Sequence, residues 1–292
     1  MNKGFFFMIM LALLALSCEK SITIETAAQI PKLVVEAQIE NGQAPIVVLS
    51  NSLDYFSSID AATLNGSYVH GAKITISTGN NHYQLKEFTV PLTGGYFLYY
   101  YSIDPTAPVY GDFGKQYGLS IETGGQLYTA TTSIPLLTKK IDSIWWKPAP
   151  VSVDSAKVIA MIRVTDPPGY GNYIRYFTQV NNQDFYPGLN SVFDDQIIDG
   201  KTYDVQVEKG VTKNEKVKRE ELGFFNKGDT VIVKFTNIDK NSFDFWRTWE
   251  FSYQSVGNPF SSPGKVIGNI SNDGLGSFCG YAVQYKRLII PK

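Results

Sequence analysis

Histidine and cysteine are almost absent from this sequence of 292 residues, with two of each, and charge is sparse at 18%. Each scarcity removes a class of chemistry. His70 and His82 do not form the His-Glu-x-x-His pair of a zinc protease. Cys18 and Cys279 cannot build a thiolate zinc site. If Cys18 is modified, Cys279 has no partner for a disulfide, and it reads as a buried, inert thiol. No Gly-x-Ser-x-Gly elbow occurs, and Gly274-Leu275-Gly276 lacks the third glycine of a dinucleotide fingerprint. A net charge of −1 gives no basic face for nucleic acid. The mixed run Lys213 to Arg219, which contains Glu215, reads as a solvated hairpin or loop. No cofactor or metal is expected. Long apolar runs are also missing. Phe5 to Leu16 falls short of the roughly 20 residues that a spanning helix needs.

That short run is informative for another reason. Lys3 precedes it and Ala15-Leu16-Ser17-Cys18 closes it, the layout of a secretory signal. The ending resembles the lipobox of bacterial lipoproteins, with the small Ser17 before Cys18 and Ala15 where Leu is usual. The expectation is a signal peptide over 1–17, acylation of Cys18 with chains such as palmitate, and a tether over 18–31. Each buried methylene contributes about 0.8 kcal/mol, so two or three chains hold a body at a membrane.

What is plentiful is aromatic: 18 Tyr, 18 Phe and four Trp. Such residues favour strands. Lys32 to Glu40 alternates Leu33, Val35, Ala37 and Ile39 against polar neighbours, a half-buried strand. Asn41-Gly42 then signals a hairpin, and Pro45 to Ser50 returns. Further strands are expected near Ala72–Thr78, His82–Phe88, Tyr96–Ser102, Gln116–Thr123 and Gln126–Ile134. This spacing predicts an immunoglobulin-like β-sandwich over 32–138. Pro135 to Pro150 marks a boundary, and a second β-rich domain is expected over 139–292. Its strands are Lys157–Val164, Tyr173–Val180, Asp229–Asn237 and Cys279–Ile290, with 182–202 loop-rich. Trp246, Trp249, Tyr253 and Val256 recur at helical spacing, which predicts one amphipathic helix over Asp239–Val256, with Trp246 and Trp249 in the core. Asn241 and Asp244 resemble its capping pair, and Gly257-Asn258-Pro259 ends it.

Several segments in order resemble one family. They are the Cys18-Glu19-Lys20 start, Lys32 to Ala37, Tyr128 to Pro135, Ile141 to Trp146, Asp166 to Gly169 with Asn172 to Arg175, Gly257 to Pro263, and Asn269 to Phe278. Together they resemble a Bacteroidota outer-membrane lipoprotein family catalogued as domain of unknown function 4249. The resemblance implies a lipid-anchored outer-membrane protein acting beside a TonB-dependent receptor. It carries over no catalytic residue. Glu19 and Lys20 are compatible with an acidic export signal to the cell surface.

Candidate site residues follow from the aromatics and the carboxylates. In Tyr96 to Tyr101 the aromatics lie on both faces of one strand, so one face can be core and the other is left for another element, the second domain, or a ligand or partner. Tyr96, Tyr99, Tyr100 and Tyr101 are the candidates there, with Trp145 and Trp146 at the boundary. Asp194-Asp195 is the one obvious acidic pair, with Asp184 and Asp199 nearby. Adjacent strand residues point to opposite faces, so the pair reads as a polar loop or a weak Ca²⁺ ligand set. The favoured function is a non-enzymatic accessory or binding lipoprotein. The rivals are a carboxylate-dependent glycan hydrolase and a structural or adhesive surface protein.

Overall fold

A computed structural model describes residues 30–54, 57–106, 108–150, 154, 156–212, 222–256 and 264–292. The expected signal segment, Cys18, nearly all of the expected tether, the Lys213–Arg219 run and Gly257-Asn258-Pro259, the expected helix end, lie outside them. The described chain is mainly β and forms one compact unit from Pro31 to Lys292. Its helices include none long and apolar enough to cross a membrane.

Alternation builds the first strands. In β1 (Leu33–Glu40) the apolar residues Leu33, Val35, Ala37 and Ile39 are buried, as their period of two requires. Then come β2 (Ile46–Asn51), a short helix α1 (Ala61–Ser67), β3 (Lys73–Thr78), β4 (Asn81–Pro91), β5 (Phe97–Ile103), β6 (Lys115–Thr123) and β7 (Gln126–Ile134). Asn81 to Gln84 of β4 pair with β3, whereas Leu85 to Pro91 pair with β5. β4 thus turns the corner between two layers. The layers enclose a core of Val35, Ile39, Ile74, Ile76, Ile121 and their neighbours, in a sandwich-like arrangement.

The later strands are β8 (Lys140–Pro148), β9 (Lys157–Thr165), β10 (Tyr173–Val180), β11 (Tyr186–Phe193), β12 (Thr202–Val207), β13 (Phe225–Asn226), β14 (Thr230–Ile238) and β15 (Leu275–Ile289). Helix α2 (Lys240–Ser255) stands between the last two. One sheet runs β11-β10-β14-β15-β1-β2-β5-β4-β3-β6-β7. A smaller sheet joins β12, β9 and β13, with β8 on β9. β15 pairs parallel with β1, from Val34 opposite Leu275 to Glu40 opposite Tyr281. The expected boundary near 139 therefore falls between two hydrophobic clusters that share one sheet, and β15 enters both. Phe278 and Ala282 reach the first core, and Leu288 reaches the second, between the two sheets. Cys279, Tyr281 and Val283 point the other way, under α2.

Two of the family-like segments, Tyr128 to Pro135 and Asn269 to Phe278, touch each other. Asn269 donates to the carbonyls of Thr131 and Phe278, and Ser271 bonds Thr129. These bonds clasp β7 to β15. At Gly280 a Cβ would sit 2.4 Å from the Ser133 carbonyl oxygen, so only glycine allows this approach. Asn272 and Asp273 take positive φ in the turn before β15.

Helix α2 lies where periodicity places it, but its cap and its buried face differ. Asp239 is the cap. One carboxylate oxygen accepts from Ser242 N at 2.8 Å; the other accepts from Thr132 Oγ1 and Ser133 N. Asp244 pairs instead with Lys240 on the surface. The buried residues are Ser242, Phe243, Phe245 and Glu250. Trp246 and Trp249 are only half-buried, and Tyr253 and Val256 are exposed.

Candidate functional site

The aromatic strand β5 does not form one platform. It lies between β2 and β4, so one of its faces must belong to the core. Tyr101 is on that face, 2% exposed, with its hydroxyl donating to Val69 O at 2.9 Å and accepting from Ala72 N. Tyr99 is half-buried, edge-on to Tyr68 and His70. Tyr100 stacks on Phe88 across the strand pair. Tyr96, just before the strand, is half-buried like Tyr99 and Tyr100, so none of the four is freely exposed. The two tryptophans also part. Trp146 packs against the second core. Trp145 faces outward, with the Lys147 and Arg163 cations each 5.9 Å from its ring.

Asp194 and Asp195 diverge as well. Asp194 reaches Arg247 on α2 at 3.2 Å. Asp195 turns inward to Asp166 and Asp199, and carboxylate oxygens of the three lie within 4.8 Å of one another. Such a group could hold a metal ion, but a cation of the chain already sits there. The Lys139 ammonium is 2.7 Å from Asp166, and both side chains are fully buried. The remaining oxygens take backbone N–H groups: Asp195 from Gly171 and Asn172, Asp199 from Gly169, and Asp166 from Gly200. Burial alone would raise the Asp195 carboxyl. The Asn172 and Gly171 N–H bonds outweigh it and hold the group below its usual range. Asp166 to Gly169 and Asn172 are thus parts of a clasp around Lys139, whose backbone is fixed by Asn237 and Gln284.

A second buried polar chain lies under α2. Glu250 accepts from Ser191 N at 3.0 Å and from Ser191 Oγ at 2.5 Å. Arg175 Nε donates to the same hydroxyl, and its guanidinium lies 3.4 Å from the Trp246 ring centroid. Nη1 of Arg175 and the Trp246 indole both donate to the Tyr281 hydroxyl. Burial drives the Tyr281 phenol and the neighbouring Cys279 thiol well above their ordinary values. A neutral, fully enclosed Cys279 is inert, as expected.

The described residues line a large apolar concavity, which pattern reasoning missed. It is a cleft of about 960 Å³ between the small sheet, the β10–β11 edge and α2. Ile174, Tyr176 and Phe235 line it from the large sheet, and Ile162, Tyr203, Val205 and Val207 from the small one. Phe243, Glu250 and Phe251 line it from α2. Four large apolar side chains that face solvent gather in this lining: Ile197 (85% exposed), Phe251 (61%), Phe193 (44%) and Val205 (37%). Exposed apolar groups scattered singly are ordinary, but a ring of them around a concavity marks a binding site. Two signals were available. Phe243, Arg247, Glu250 and Gln254 recur at helical spacing, hidden beneath the stronger tryptophan stripe. The stretch 182–202, read as loop-rich, contains β11 and much of the mouth.

No curated protein matches the chain. A family model does match, over residues 19–287, and it spans both clasps, the cleft and α2. The chain therefore belongs to the family described as domain of unknown function, DUF4249.

Proposed function

We propose that this protein is a lipid-anchored binding protein of the outer membrane, a non-enzymatic accessory to a TonB-dependent uptake system, whose cleft receives a small ligand. The observation that carries the binding reading is the ring of exposed apolar side chains around the cleft. Burying them against a ligand returns about 25 cal/mol per Å² of apolar surface. The anchor rests on the signal-like residues 1–17 and Cys18. The uptake partner rests on the family resemblance. The carboxylates of the lining, Asp194, Asp204 and Glu250, are engaged by Arg247, Arg163 and Ser191. That arrangement favours a binding wall over a hydrolytic acid pair.

The test is a mild-detergent pull-down of the tagged native protein from its own membranes, with Cys18→Ala as control. Recovery of an outer-membrane receptor in near-equal amount, reduced with Cys18→Ala, is the expected result. Recovery of the protein alone defeats the uptake partnership and turns attention to the adhesive reading.

A further inference from the structure

The lining of the cleft constrains what it can hold. Most of the wall is aliphatic or aromatic. Hydroxyl-rich ligands lose their water there without gaining partners, at about 1–3 kcal/mol for each unpaired group. The part of the ligand that enters is therefore apolar.

Charge narrows the choice further. Three carboxylates border the cleft, and each is already answered. Asp194 meets Arg247 at 3.2 Å. Asp204 takes a two-pronged contact from Arg163, at 2.7 and 3.0 Å. Glu250 takes both bonds of Ser191, whose hydroxyl also receives Arg175. Lys265 is the cation of the lining that makes no ion pair among the described residues. It is exposed, and its chain neighbour Gly264 lies against the Phe251 ring, where a Cβ would come within 3.3 Å. A cation thus stands beside the apolar ring.

We infer that the cleft takes an amphipathic acid, with an apolar chain or ring system inside and an anionic head group against Lys265. This rests on the cleft being a binding site. An anion at the mouth gains a charge-assisted contact that a neutral head group lacks.

The experiment uses the full chain carrying Cys18→Ala. Dodecanoate, dodecanol and dodecyltrimethylammonium are titrated below their aggregation limits, by calorimetry and by tryptophan emission. Dodecanoate should bind about tenfold more tightly than dodecanol. Lys265→Glu should weaken dodecanoate about tenfold or more, with dodecanol unchanged. Phe251→Asp should weaken all three. Lys265 and Phe251 are exposed, so unchanged melting temperatures verify that both variants fold. Equal binding of acid and alcohol, tightest binding of the cation, or no effect of Lys265→Glu overturns the anionic head group and leaves the cleft standing. No binding of any probe, and none of the neutral dye Nile red, overturns the cleft as well.

Discussion

The two ends of the large sheet solve the same burial problem differently. At the β3–β7 end the interior is almost wholly apolar: Ile74, Ile76, Leu119, Ile121 and Ile134 fill it, and Thr132 is the polar residue buried on β7. At the β10–β14 end the protein buries Lys139, Asp166, Asp195, Arg175 and Glu250. Apolar packing tolerates substitution when volume is kept. A buried ion does not, because its loss leaves the partner charged and dry. The second arrangement adds little net stability but fixes position. The charged end is also where the cleft lies.

Substitutions at five positions sharpen or break this comparison. The largest loss should come from Lys139→Met, about 3–5 kcal/mol in denaturant unfolding, because Asp166 is left buried without its cation. The double variant Lys139→Met with Asp166→Leu should recover part of it. A cost below about 1 kcal/mol would mean that the two ends do not differ in this way. Next comes Ile121→Ala at the apolar end, about 2–5 kcal/mol from lost burial and a residual cavity. Ile121→Val should cost about 0.5–1.5 kcal/mol, and a larger loss would make the apolar end equally exacting. Asp239→Ala should cost about 1–2 kcal/mol, since it removes the cap of α2 together with that carboxylate's bonds to β7.

The smallest effect concerns acid. The Asp195 carboxyl is held below its ordinary value of 3.8. Its contribution is therefore complete above that value and fades as pH falls through the lower folded value. Unfolding midpoints measured from about pH 6 to about pH 2.5 should fall at the acid end, and Asp195→Asn should flatten that limb. An unchanged limb would remove Asp195 from the account.

Much of this fold is legible in sequence because alternation is local. β1, β9 and β14 bury the residues that their period of two selects. The position of α2 is legible for the same reason. Its buried face is not. Glu250 and Ser242 read as polar positions, but Glu250 is satisfied by Ser191, 59 residues away in the chain. Periodicity ranks the tryptophans above them because it cannot register a distant partner. The cleft escaped for a related reason. Its walls come from Ile162, Phe193, Tyr203, Phe235 and Phe251, each unremarkable in its own segment. Likewise Asp194-Asp195 looks like a pair in sequence, yet its members serve different neighbours.

The pairing of β1 with β15 has a consequence for the order of assembly. β1, the first of the described strands, must wait for Leu275–Tyr281 to be made before its parallel neighbour exists. Until then the backbone N–H and C=O groups along that edge of β1 have no partner. Contacts so distant along the chain slow folding, since a long loop must close before they form. The body of this protein therefore completes its sheet only once the last strand has been delivered. Loss of Ala282–Ile289 would leave Thr230–Asn237 of β14 without a partner on that side, in the middle of the sheet.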